Sequence, residues 1–564
     1  MAKRQRDRLT RTEWRNCWEL IKPWWVSEER WQARGLFLLV FLFDMALVGV
    51  GAWLSYWNED FFNAFAAYDK GLVWKLMMEA LLIALSGITA EVARTWFYQT
   101  LQIKWRRWLT DVYMKQWLNG SAFYRVESNH QIDNADQRIA EDIRDMTQLA
   151  LHLSLGFFSN LVKVVTFSII IWGMSGTASI ALFGTTVNIP GYMLWVSIVY
   201  ALVSSFVLEK WGKKIVEVEY EQQLRESDFR FQLMRIRENS AEIAISKGND
   251  TEKQILNRRF RKIEINWDAF KRYTRRITMF EKGYTEFGVL LAYLLIIPRY
   301  FARQIQIGSI VKLTMAFTNV RVGFAWFVFQ YKRLTSLRAM ARRLSELHFY
   351  LNLDVSHNIN FSDSDDGLLR VKGLKMNLSD GKVVNKVDDL TIEPGSHWLI
   401  KGDSGAGKTT FLKVLSGIWQ YGEGEVSLPK ARMMFLPQEP YLPLGTLRLS
   451  LCYPESPEKF TEEQCRRAMC LCELPQYADR LDDDDYTWYR KLSPGEKQRL
   501  AFARILLIRP DFLFMDESTS AMDTKLEQRL FKVLLEELPE TAIISVAHRP
   551  SLEQYHDHTL TIES

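Results

Sequence analysis

A pattern of glycines ending in Lys-Thr lies in the C-terminal third of this chain, at Gly402-Asp403-Ser404-Gly405-Ala406-Gly407-Lys408-Thr409. It follows the apolar run Trp398 to Ile400, a predicted strand, and precedes a helical stretch that begins at Thr410. In such a loop the glycines let consecutive backbone N–H groups converge on phosphate oxygens at a helix N-terminus. Lys408 then reaches the β and γ phosphates of a nucleotide, and Thr409 ligates Mg²⁺. The strand before the loop and the helix after it favour this interpretation over a chance glycine-rich turn.

A second apolar run ends in two acids. It reads Phe512-Leu-Phe-Met-Asp516, and Glu517 follows directly. An acid pair at a strand end can be mere capping, but the apolar run and its place after the phosphate loop favour chemistry. Asp516 is predicted to hold Mg²⁺ through water, and Glu517 to act as the general base that polarises the attacking water.

Four further motifs accompany these two in chain order. They are Gln438 in LPQEPYL, Leu492-Ser493-Pro494-Gly495-Glu496, Ser520-Ala-Met-Asp523, and His548 in SVAHR. The whole set resembles the ABC-type ATPases. The resemblance implies ATP and Mg²⁺ as ligands, with Gln438 as a Mg²⁺ ligand and His548 as a catalytic sensor of the γ-phosphate rather than a plain strand-end residue. It also implies that Ser493, Gly495 and Glu496 close over ATP held by a second copy.

Two departures from the family pattern stand out. The family signature usually reads LSGGQ, whereas this chain has Pro494 and Glu496. Proline removes one backbone N–H from a helix start that should donate to phosphate, although its fixed φ suits the first helical turn. The family also usually stacks adenine on an aromatic residue before the phosphate loop. No aromatic lies between Phe361 and Trp398, so adenine packing must come from an aliphatic residue or from elsewhere.

The N-terminal half is predicted to cross a membrane. Spans need about 20 mostly apolar residues. Six candidates are Gly35 to Trp57, Leu72 to Tyr98, Leu149 to Met174, Gly191 to Leu208, Phe280 to Ala302 and Ile307 to Tyr331. The loops after the second and fourth spans are long and basic, while the loop from Ser175 to Pro190 carries no charge. The excess of Lys and Arg in the long loops predicts that both of these loops and both termini are cytoplasmic.

Four regions follow from these patterns. Residues 1–34 are basic and rich in Trp, which predicts a cytoplasmic N-terminus and a helix in the membrane interface. Residues 35–351 form the six-span domain, in which Glu209 to Met279 predicts two long cytoplasmic helices. Residues 352–367 are polar and turn-rich, a predicted linker, and 368–564 form the ATPase domain. The expected fold is an all-α membrane domain of exporter type followed by an α/β P-loop NTPase domain.

Two cytoplasmic loop motifs narrow the resemblance. They are Asn134-Ala-Asp-Gln-Arg138-Ile-Ala-Glu-Asp142 and Ala241-Glu-Ile-Ala-Ile-Ser-Lys-Gly248. Both resemble loops of the peroxisomal fatty-acyl-CoA transporters, the D subfamily, and of the bacterial SbmA/BacA-like proteins. Charged helix surface is the simpler interpretation of each. The first run is specific enough to favour the resemblance.

Ionisable residues at predicted membrane depth mark either a functional path or structural ion pairs. They are Asp44, Glu79, Glu91, Lys163 and Glu286, of which Asp44 and Glu286 are the two to test.

Charge and cysteine content exclude some classes of function. A net charge of +5 in 564 residues is too small to predict a nucleic-acid partner. The five cysteines form no paired framework, and the cluster from 465 to 472 lacks a second pair at zinc spacing.

The patterns together predict an ABC half-transporter in a bacterial inner membrane. One chain supplies one phosphate loop and one signature, so the resemblance implies a homodimer with two shared ATP sites. The resemblance suggests peptide-like, acyl-CoA-like or cobalamin-like substrates, and it fixes neither the solute nor the direction. A lipid flippase and a membrane-tethered regulatory ATPase that transports nothing stay as alternatives. The six spans exclude a cytosolic ABC protein.

Overall fold

The computed structural model describes residues 13–128, 132, 134–182, 185–353, 359–378, 381–403, 405–419, 421–483, 485, 487–547 and 549–562. The chain divides into two compact units. One takes in residues 1–119 and 132–352, and the other takes in residues 120–131 and 353–564. The short loop segment 120–131 therefore belongs with the C-terminal unit, where the Lys413 ammonium lies 6.0 Å from the ring centre of Tyr124.

The first unit is helical. Its helices are α1 (Glu13–Val26), α2 (Arg30–Ala66), α3 (Lys70–Leu118), α5 (Ala135–Gln137), α6 (Ile143–Ser175), α7 (Tyr192–Glu238), α8 (Ser240–Ile245), α9 (Asn249–Phe301), α10 (Ile307–Phe329) and α11 (Tyr331–Leu351). Helix α4 (Ala122–Ser128) lies in segment 120–131, and a π-helical turn, Arg138–Asp142, joins α5 to α6.

A helix covers each of the six predicted spans. Among the described residues, three helical stretches are long and apolar enough to cross a membrane: Arg30–Ala66, Lys70–Ser128 and Ala135–Ser175. Tyr192–Ser204 is a shorter apolar stretch. Helices α9 and α10 carry charges inside their predicted spans, such as Glu286 and Lys312, which lower their apolar character. The number of spans therefore stays a prediction.

The connections show two features of the helical unit. Helices α7 and α9 are single long helices that run well past their apolar ends, as the sequence of Glu209 to Met279 predicts. The uncharged loop after α6 forms an antiparallel hairpin of β1 (Thr177–Leu182) and β2 (Thr185–Pro190). Its β-branched residues fit a strand better than an irregular loop.

Helix α1 is partly packed against protein rather than lying free in an interface. The Trp24 ring is fully buried and stacks on Trp105 of α3, with ring centres 5.7 Å apart and planes 7° apart. Trp18 of the same helix α1, by contrast, is 62% exposed. The predicted interfacial helix thus has one face on the helical unit and one exposed aromatic face.

Two buried charges in the helical unit form ion pairs. The Asp44 carboxylate is buried and accepts a hydrogen bond from Arg94 Nε at 2.5 Å. Lys312 Nζ lies 2.7 Å from Glu59 Oε2. Glu286 is exposed on α9. Asp44 therefore has the structural ion pair that the sequence left open, and Glu286 is the freer of the two candidates.

The C-terminal unit is an α/β domain with two sheets. Its strands are β3 (Ile359–Ser364), β4 (Leu369–Asn377), β5 (Val383–Val387), β6 (Leu390–Ile392), β7 (His397–Lys401), β8 (Gly422–Pro429), β9 (Met433–Leu436), β10 (Phe512–Asp516), β11 (Ala542–Val546) and β12 (His558–Thr561). Its helices are α12 (Lys408–Leu415), α13 (Leu447–Cys452), α14 (Glu462–Leu471), α15 (Pro475–Ala478), α16 (Trp488–Lys491), α17 (Pro494–Ile508) and α18 (Thr524–Glu537).

The central sheet is parallel, in the order β12-β7-β11-β10-β9. Strands β10 and β11 are apolar except for Asp516 at the end of β10 and Ser545 in β11. They are almost entirely buried, as parallel strands covered on both faces should be. Stacked rings of Phe435 and Phe514, 4.3 Å apart, join β9 to β10. Because β7 and β10 are parallel neighbours of β11, their carboxyl ends meet at one edge and bring the two predicted nucleotide motifs together.

The predicted linker, 352–367, contains strand β3. This strand pairs in parallel with β8 in the second sheet, whose order is β3-β8-β4-β5. Ile359 and Ser364, the first and last residues of β3, are buried, while Asn360, Ser362 and Asp363 between them are exposed. The polar composition that predicts a linker instead belongs to an edge strand whose two ends are buried.

Candidate functional site

The phosphate loop connects β7 to α12 with the geometry that its glycines allow. Gly402 has φ +154°, and a Cβ there would lie 2.3 Å from the carbonyl oxygen of Ile562. Gly407 has φ +95°, and a Cβ there would lie 2.8 Å from Val384 Cγ1. Both positions therefore require glycine. The Lys408 ammonium donates to the carbonyls of Gly402 and Asp403 at 2.7 and 2.9 Å, so it lies inside the loop.

The acid pair lies beside this loop at the end of β10. The Thr409 hydroxyl donates a hydrogen bond to the Asp516 carboxylate. Burial raises the pKa of Asp516, the hydrogen bond from Thr409 opposes that rise, and the neighbouring Glu517 adds to it. Thr409 and Asp516, both predicted as Mg²⁺ ligands, are thus in contact.

Glu517 has an unusual backbone. Its φ is +45°, a left-handed conformation that is uncommon for a residue with a side chain. Its N–H donates to the carbonyl of Val546 on β11 at 3.0 Å. The Glu517 carboxylate lies 3.5 Å from Gln438 Nε2, so two residues predicted from separate motifs meet. Held strain of this kind is typical of catalytic positions.

A pocket of about 480 Å³ opens over the phosphate loop. Its lining comes from the loop, the β4–β5 turn and the second acid of the pair: Leu378, Lys382, Val383, Val384, Gly405, Gly407, Lys408, Thr409, Thr410 and Glu517. Leu378 and Val383 are 39% and 44% exposed. The pocket thus combines phosphate-binding groups at one side with an exposed aliphatic surface at the other.

The signature motif begins helix α17 with a capping box. Ser493 is the N-cap, Pro494 occupies the first helical turn, and Glu496 is the third helical residue. The Glu496 N–H donates to Ser493 Oγ at 3.3 Å, and the Ser493 N–H donates to Glu496 Oε2 at 2.9 Å. Burial acts to raise the pKa of Glu496, but hydrogen bonds from Ser493 and Tyr477 lower it. The departures at Pro494 and Glu496 therefore form a helix-start motif.

One residue that the sequence analysis did not single out connects three motifs. Gln498 is buried on α17, and its Nε2 donates to the carbonyl of Gln438 at 3.0 Å and to Ser520 Oγ at 3.3 Å. Its Oε1 accepts the Ala521 N–H at 3.0 Å. A glutamine two residues after the signature glutamate was visible in the sequence, but its partners lie 22 or more positions away.

The segment from Ser520 to Asp523 is held from both ends. Asp523 caps α18 by accepting the N–H groups of Lys525 and Leu526 at 3.0 and 2.9 Å, and these bonds lower the pKa of Asp523. Arg549 donates to the carbonyls of Met522 and Ser520 at 2.7 and 3.1 Å. Two predicted site residues, Ser404 and His548, lie outside the described residues.

The first loop motif, residues 134–142, forms ion pairs to the last helix of the helical unit. Arg138 Nη1 lies 3.1 Å from Glu346 Oε2 and donates to the carbonyl of Arg343 at 2.8 Å. Asp142 receives a two-pronged hydrogen bond from the Arg343 guanidinium. The motif therefore fastens the start of α6 to α11. The second motif forms the short helix α8, whose Ile245 is 83% exposed.

Family comparison agrees with this arrangement of domains and motifs. The family described as ABC transporter transmembrane region 2 matches residues 20–301, and the family described as ABC transporter matches residues 385–520.

Curated relatives match nearly the whole chain. The Escherichia coli inner membrane ABC transporter ATP-binding protein YddA is 31% identical over 97% of this chain and 97% of its own. The Arabidopsis thaliana chloroplastic ABC transporter D family member 2 is 28% identical over 98% of this chain and 86% of its own. The human lysosomal cobalamin transporter ABCD4 is 25% identical over 96% and 93%.

A solved structure shows the same fold. A bacterial Atm1-family ABC exporter with ATP bound matches 95% of this chain and 94% of its own with a TM-score of 0.74, at 15% identity. The motifs, the two-domain match and the relatives agree with the predicted resemblance to the D subfamily, and YddA belongs among these relatives. The chain therefore belongs to the ABC transporters, as a membrane region and an ATPase domain that together form an ATP-driven transporter.

Proposed function

We propose that two copies of this chain form a homodimer in a bacterial inner membrane, with both termini in the cytoplasm and two ATP sites shared between the copies. One observation carries the proposal. The lining of the nucleotide pocket includes the phosphate loop and Glu517, but among the described residues it includes none from the start of α17. Ser493 is exposed there, where its hydroxyl can face a partner. A second chain would supply the missing wall.

Each pocket residue has a role that follows from its position. Gly402 to Thr410 would hold the phosphates of ATP, with Lys408 countering their charge. Glu517 would accept the proton of the attacking water, with Gln438 orienting its carboxylate. His548 would sense the γ-phosphate, as the family resemblance implies.

The groups around Thr409 suit Mg²⁺. Thr409, Asp516 and Gln438 offer oxygen atoms, the ligands that this ion prefers, and the first two are already in contact. When bound, Mg²⁺ would neutralise charge on the β and γ phosphates.

The exposed aliphatic residues of the β4–β5 turn would receive the adenine ring. Leu378 and Val383 lie in the same pocket as the phosphate loop and expose apolar surface to it. They occupy the chain segment in which the sequence has no aromatic residue. Packing on aliphatic side chains buries the base without reading its edge, so the site would discriminate little between bases.

The substrate would be a peptide-like, acyl-CoA-like or cobalamin-like solute, as the family resemblance suggests. The test uses purified protein in liposomes, with ATP hydrolysis and solute accumulation measured for each class and with Glu517→Gln as the control that cannot drive accumulation. We expect one class to stimulate hydrolysis and to accumulate only with ATP. Stimulation by phospholipid alone would instead indicate a flippase. A stoichiometric protein partner with no transported solute would indicate a regulatory ATPase.

A further inference from the structure

A second cavity lies in the helical unit, where the start of α2, the later part of α3 and the π-helical turn meet. It has a volume of about 780 Å³, and its walls include Glu29, Arg106, Arg107, Trp108, Asp111 and Met114. We call it the α3 cavity. We propose that the α3 cavity binds the headgroup of an anionic glycerophospholipid.

Its depth relative to the apolar spans supports a lipid. The apolar run of α2 begins at Gly35, and Lys104 Nζ of α3 donates to Gln32 Oε1 at 2.8 Å. Lys104 is therefore level with the last polar residues before the apolar run. Arg106 and Arg107 follow at about 1.5 Å per residue along the helix, so they lie about 3 to 5 Å farther from the apolar region. The headgroup layer extends roughly 5 to 7 Å beyond the hydrocarbon core, which places both guanidinium groups within it.

The two arginines of the α3 cavity carry hydrogen-bond donors that can receive an anion, although the lining also holds two carboxylates. Among the described residues, Arg107 has no hydrogen bond or ion pair, and Arg106 makes only one long hydrogen bond, to the carbonyl of Ala140 at 3.4 Å. The two acids of the cavity have partners. Asp111 Oδ2 lies 2.7 Å from Lys115 Nζ, and Glu29 Oε2 accepts the Trp24 Nε1–H at 3.1 Å.

The charges around the cavity rim leave the two arginines as its available groups. Lys104 adds a further positive charge on the membrane side, bound to Gln32. On the π-helical turn, Glu141 accepts from Gln137 at 2.9 Å. Two uncommitted guanidinium groups can receive a phosphate in the bidentate geometry that Arg favours.

Apolar lining distinguishes a lipid from a free phosphate ion. Ile103 and Met114 are 56% and 42% exposed and line the cavity beside Trp108. Tryptophan is enriched at the level of lipid headgroups, where its ring meets apolar chain and its N–H meets polar groups. In a glycerophospholipid, the phosphodiester can contact the arginines of the cavity while the glycerol and acyl chains contact its apolar residues.

The test measures lipid binding to the purified full-length protein in detergent. Phosphatidylglycerol and phosphatidylcholine are titrated separately, and bound lipid is counted by native mass spectrometry. The variant is Arg106→Gln/Arg107→Gln. The matched control is Arg275→Gln/Arg276→Gln, another adjacent pair of exposed arginines, which lies one turn before the predicted span at Phe280 and outside the cavity.

We expect wild type to bind phosphatidylglycerol at least tenfold tighter than phosphatidylcholine. Each arginine near a membrane surface contributes about fivefold in affinity, so the double variant should weaken phosphatidylglycerol binding about 30-fold. The control should change it less than twofold. Arg107→Gln alone, which removes no contact within the described residues, should weaken binding about fivefold and serves if the double variant does not fold.

Three results would overturn the proposal. If the cavity variant and the control weakened phosphatidylglycerol binding equally, the lipid would be attracted by positive surface charge in general and not by a specific site. Equal affinity for the two lipids would remove the anionic preference. Displacement of the lipid by excess inorganic phosphate would mean that the cavity takes a soluble anion instead.

Discussion

Glu517 combines three properties at one position: it follows the buried strand β10, it has a left-handed backbone, and its carboxylate meets Gln438. The strand-end position was visible in the sequence, since apolar residues precede two acids. The backbone conformation and the contact with Gln438 were not, because each depends on residues of β11 and of the loop after β9. Position in the chain thus identified the candidate, and packing around it brings its carboxylate next to Gln438.

Replacing Glu517 with Gln keeps the size of the side chain and its hydrogen bonding but removes the base. We expect ATP hydrolysis to fall by about 100-fold or more while ATP still binds. The measurement is phosphate release, with ATP affinity determined by equilibrium binding. Lys408→Ala is the control, and it should weaken binding itself because its ammonium lies inside the phosphate loop. Hydrolysis by Glu517→Gln at the parental rate would contradict the assignment.

Pro494 removes an amide from the start of α17, and its replacement tests whether that amide limits turnover. A hydrogen bond to a charged group contributes about 1.5 to 3 kcal/mol, while glycine costs roughly 0.5 to 1 kcal/mol of local order. The capping box of Ser493 and Glu496 does not need the proline, so Pro494→Gly should keep the helix start.

We therefore expect Pro494→Gly to raise steady-state ATPase turnover, by up to about tenfold. Ser493→Ala, which breaks the capping box, should lower it. An unchanged or lower rate in a folded, dimeric Pro494→Gly protein would mean that the proline's preorganised φ matters more than the missing donor.

Substitution of Val383 tests whether the adenine ring packs on the aliphatic side chains of Leu378 and Val383. Stacking of a base on an aromatic ring contributes about 1 to 3 kcal/mol, so Val383→Tyr should tighten ATP binding roughly fivefold or more. Wild type should hydrolyse ATP and GTP with KM values within about tenfold of each other. The side chains of Leu378 and Val383 have no polar atom that could hydrogen-bond to the edge of the base. Val387→Tyr, at a buried position on the same strand, is the control for a change of strand sequence. A strong preference of wild type for ATP would place the base elsewhere.

The helices and strands show which kinds of element can be read from local sequence. Long apolar runs and charged stretches predicted α2, α3, α6, α7 and α9, because helix formation follows periodicity over many residues. Strand β3 was missed because one of its two buried residues, Ser364, is polar, which leaves Ile359 as the one apolar sign of burial. The packing of α1 was missed for another reason: Trp24 is buried by Trp105, which lies 81 positions later in the chain. A local sequence pattern does not indicate contacts between residues that lie so far apart in the chain.

The ion pair between Arg138 and Glu346 joins the first loop motif, residues 134–142, to α11 and should stabilise the helical unit. Both side chains are largely buried, at 10% and 19% exposure. We expect Arg138→Ala and Glu346→Ala each to lower thermal stability. The loss of stabilisation free energy in the double variant should be about 1 kcal/mol smaller than the sum of the two single losses. The measurement is thermal inactivation of the purified protein in a double-mutant cycle. Arg144→Ala, at an exposed ion pair with Asp145 at the start of α6, should have little effect. Strict additivity would mean that the two residues do not act together.

At the scale of the whole molecule, one chain holds a phosphate loop, an acid pair and a signature. Among the described residues, its nucleotide pocket is lined by the phosphate loop, the β4–β5 turn and Glu517, and by no residue of the signature. This incompleteness could be predicted by counting motifs, and the pocket lining agrees with the count. A transporter whose sites form only between copies hydrolyses ATP only when both ATPase domains meet, which would link hydrolysis to movement of the membrane domains.

Sharing of sites between copies can be tested by mixing two defects. One chain carries Lys408→Ala, and the other carries Ser493→Asp, which retains a good N-cap residue but places negative charge where the γ-phosphate should lie. Both chains also carry Glu517→Gln so that bound ATP is not consumed. Each homodimer has a lesion in both shared sites. The mixed dimer has one site with two lesions and one with none.

The decisive measurement is the number of ATP molecules that remain bound to the purified, doubly tagged mixed dimer after gel filtration. Sharing between copies predicts about one retained ATP per mixed dimer and none in either homodimer. Sites contained within single chains would leave a lesion in every site, so the mixed dimer would retain none. That result, or a purified monomer that hydrolyses ATP, would contradict the account.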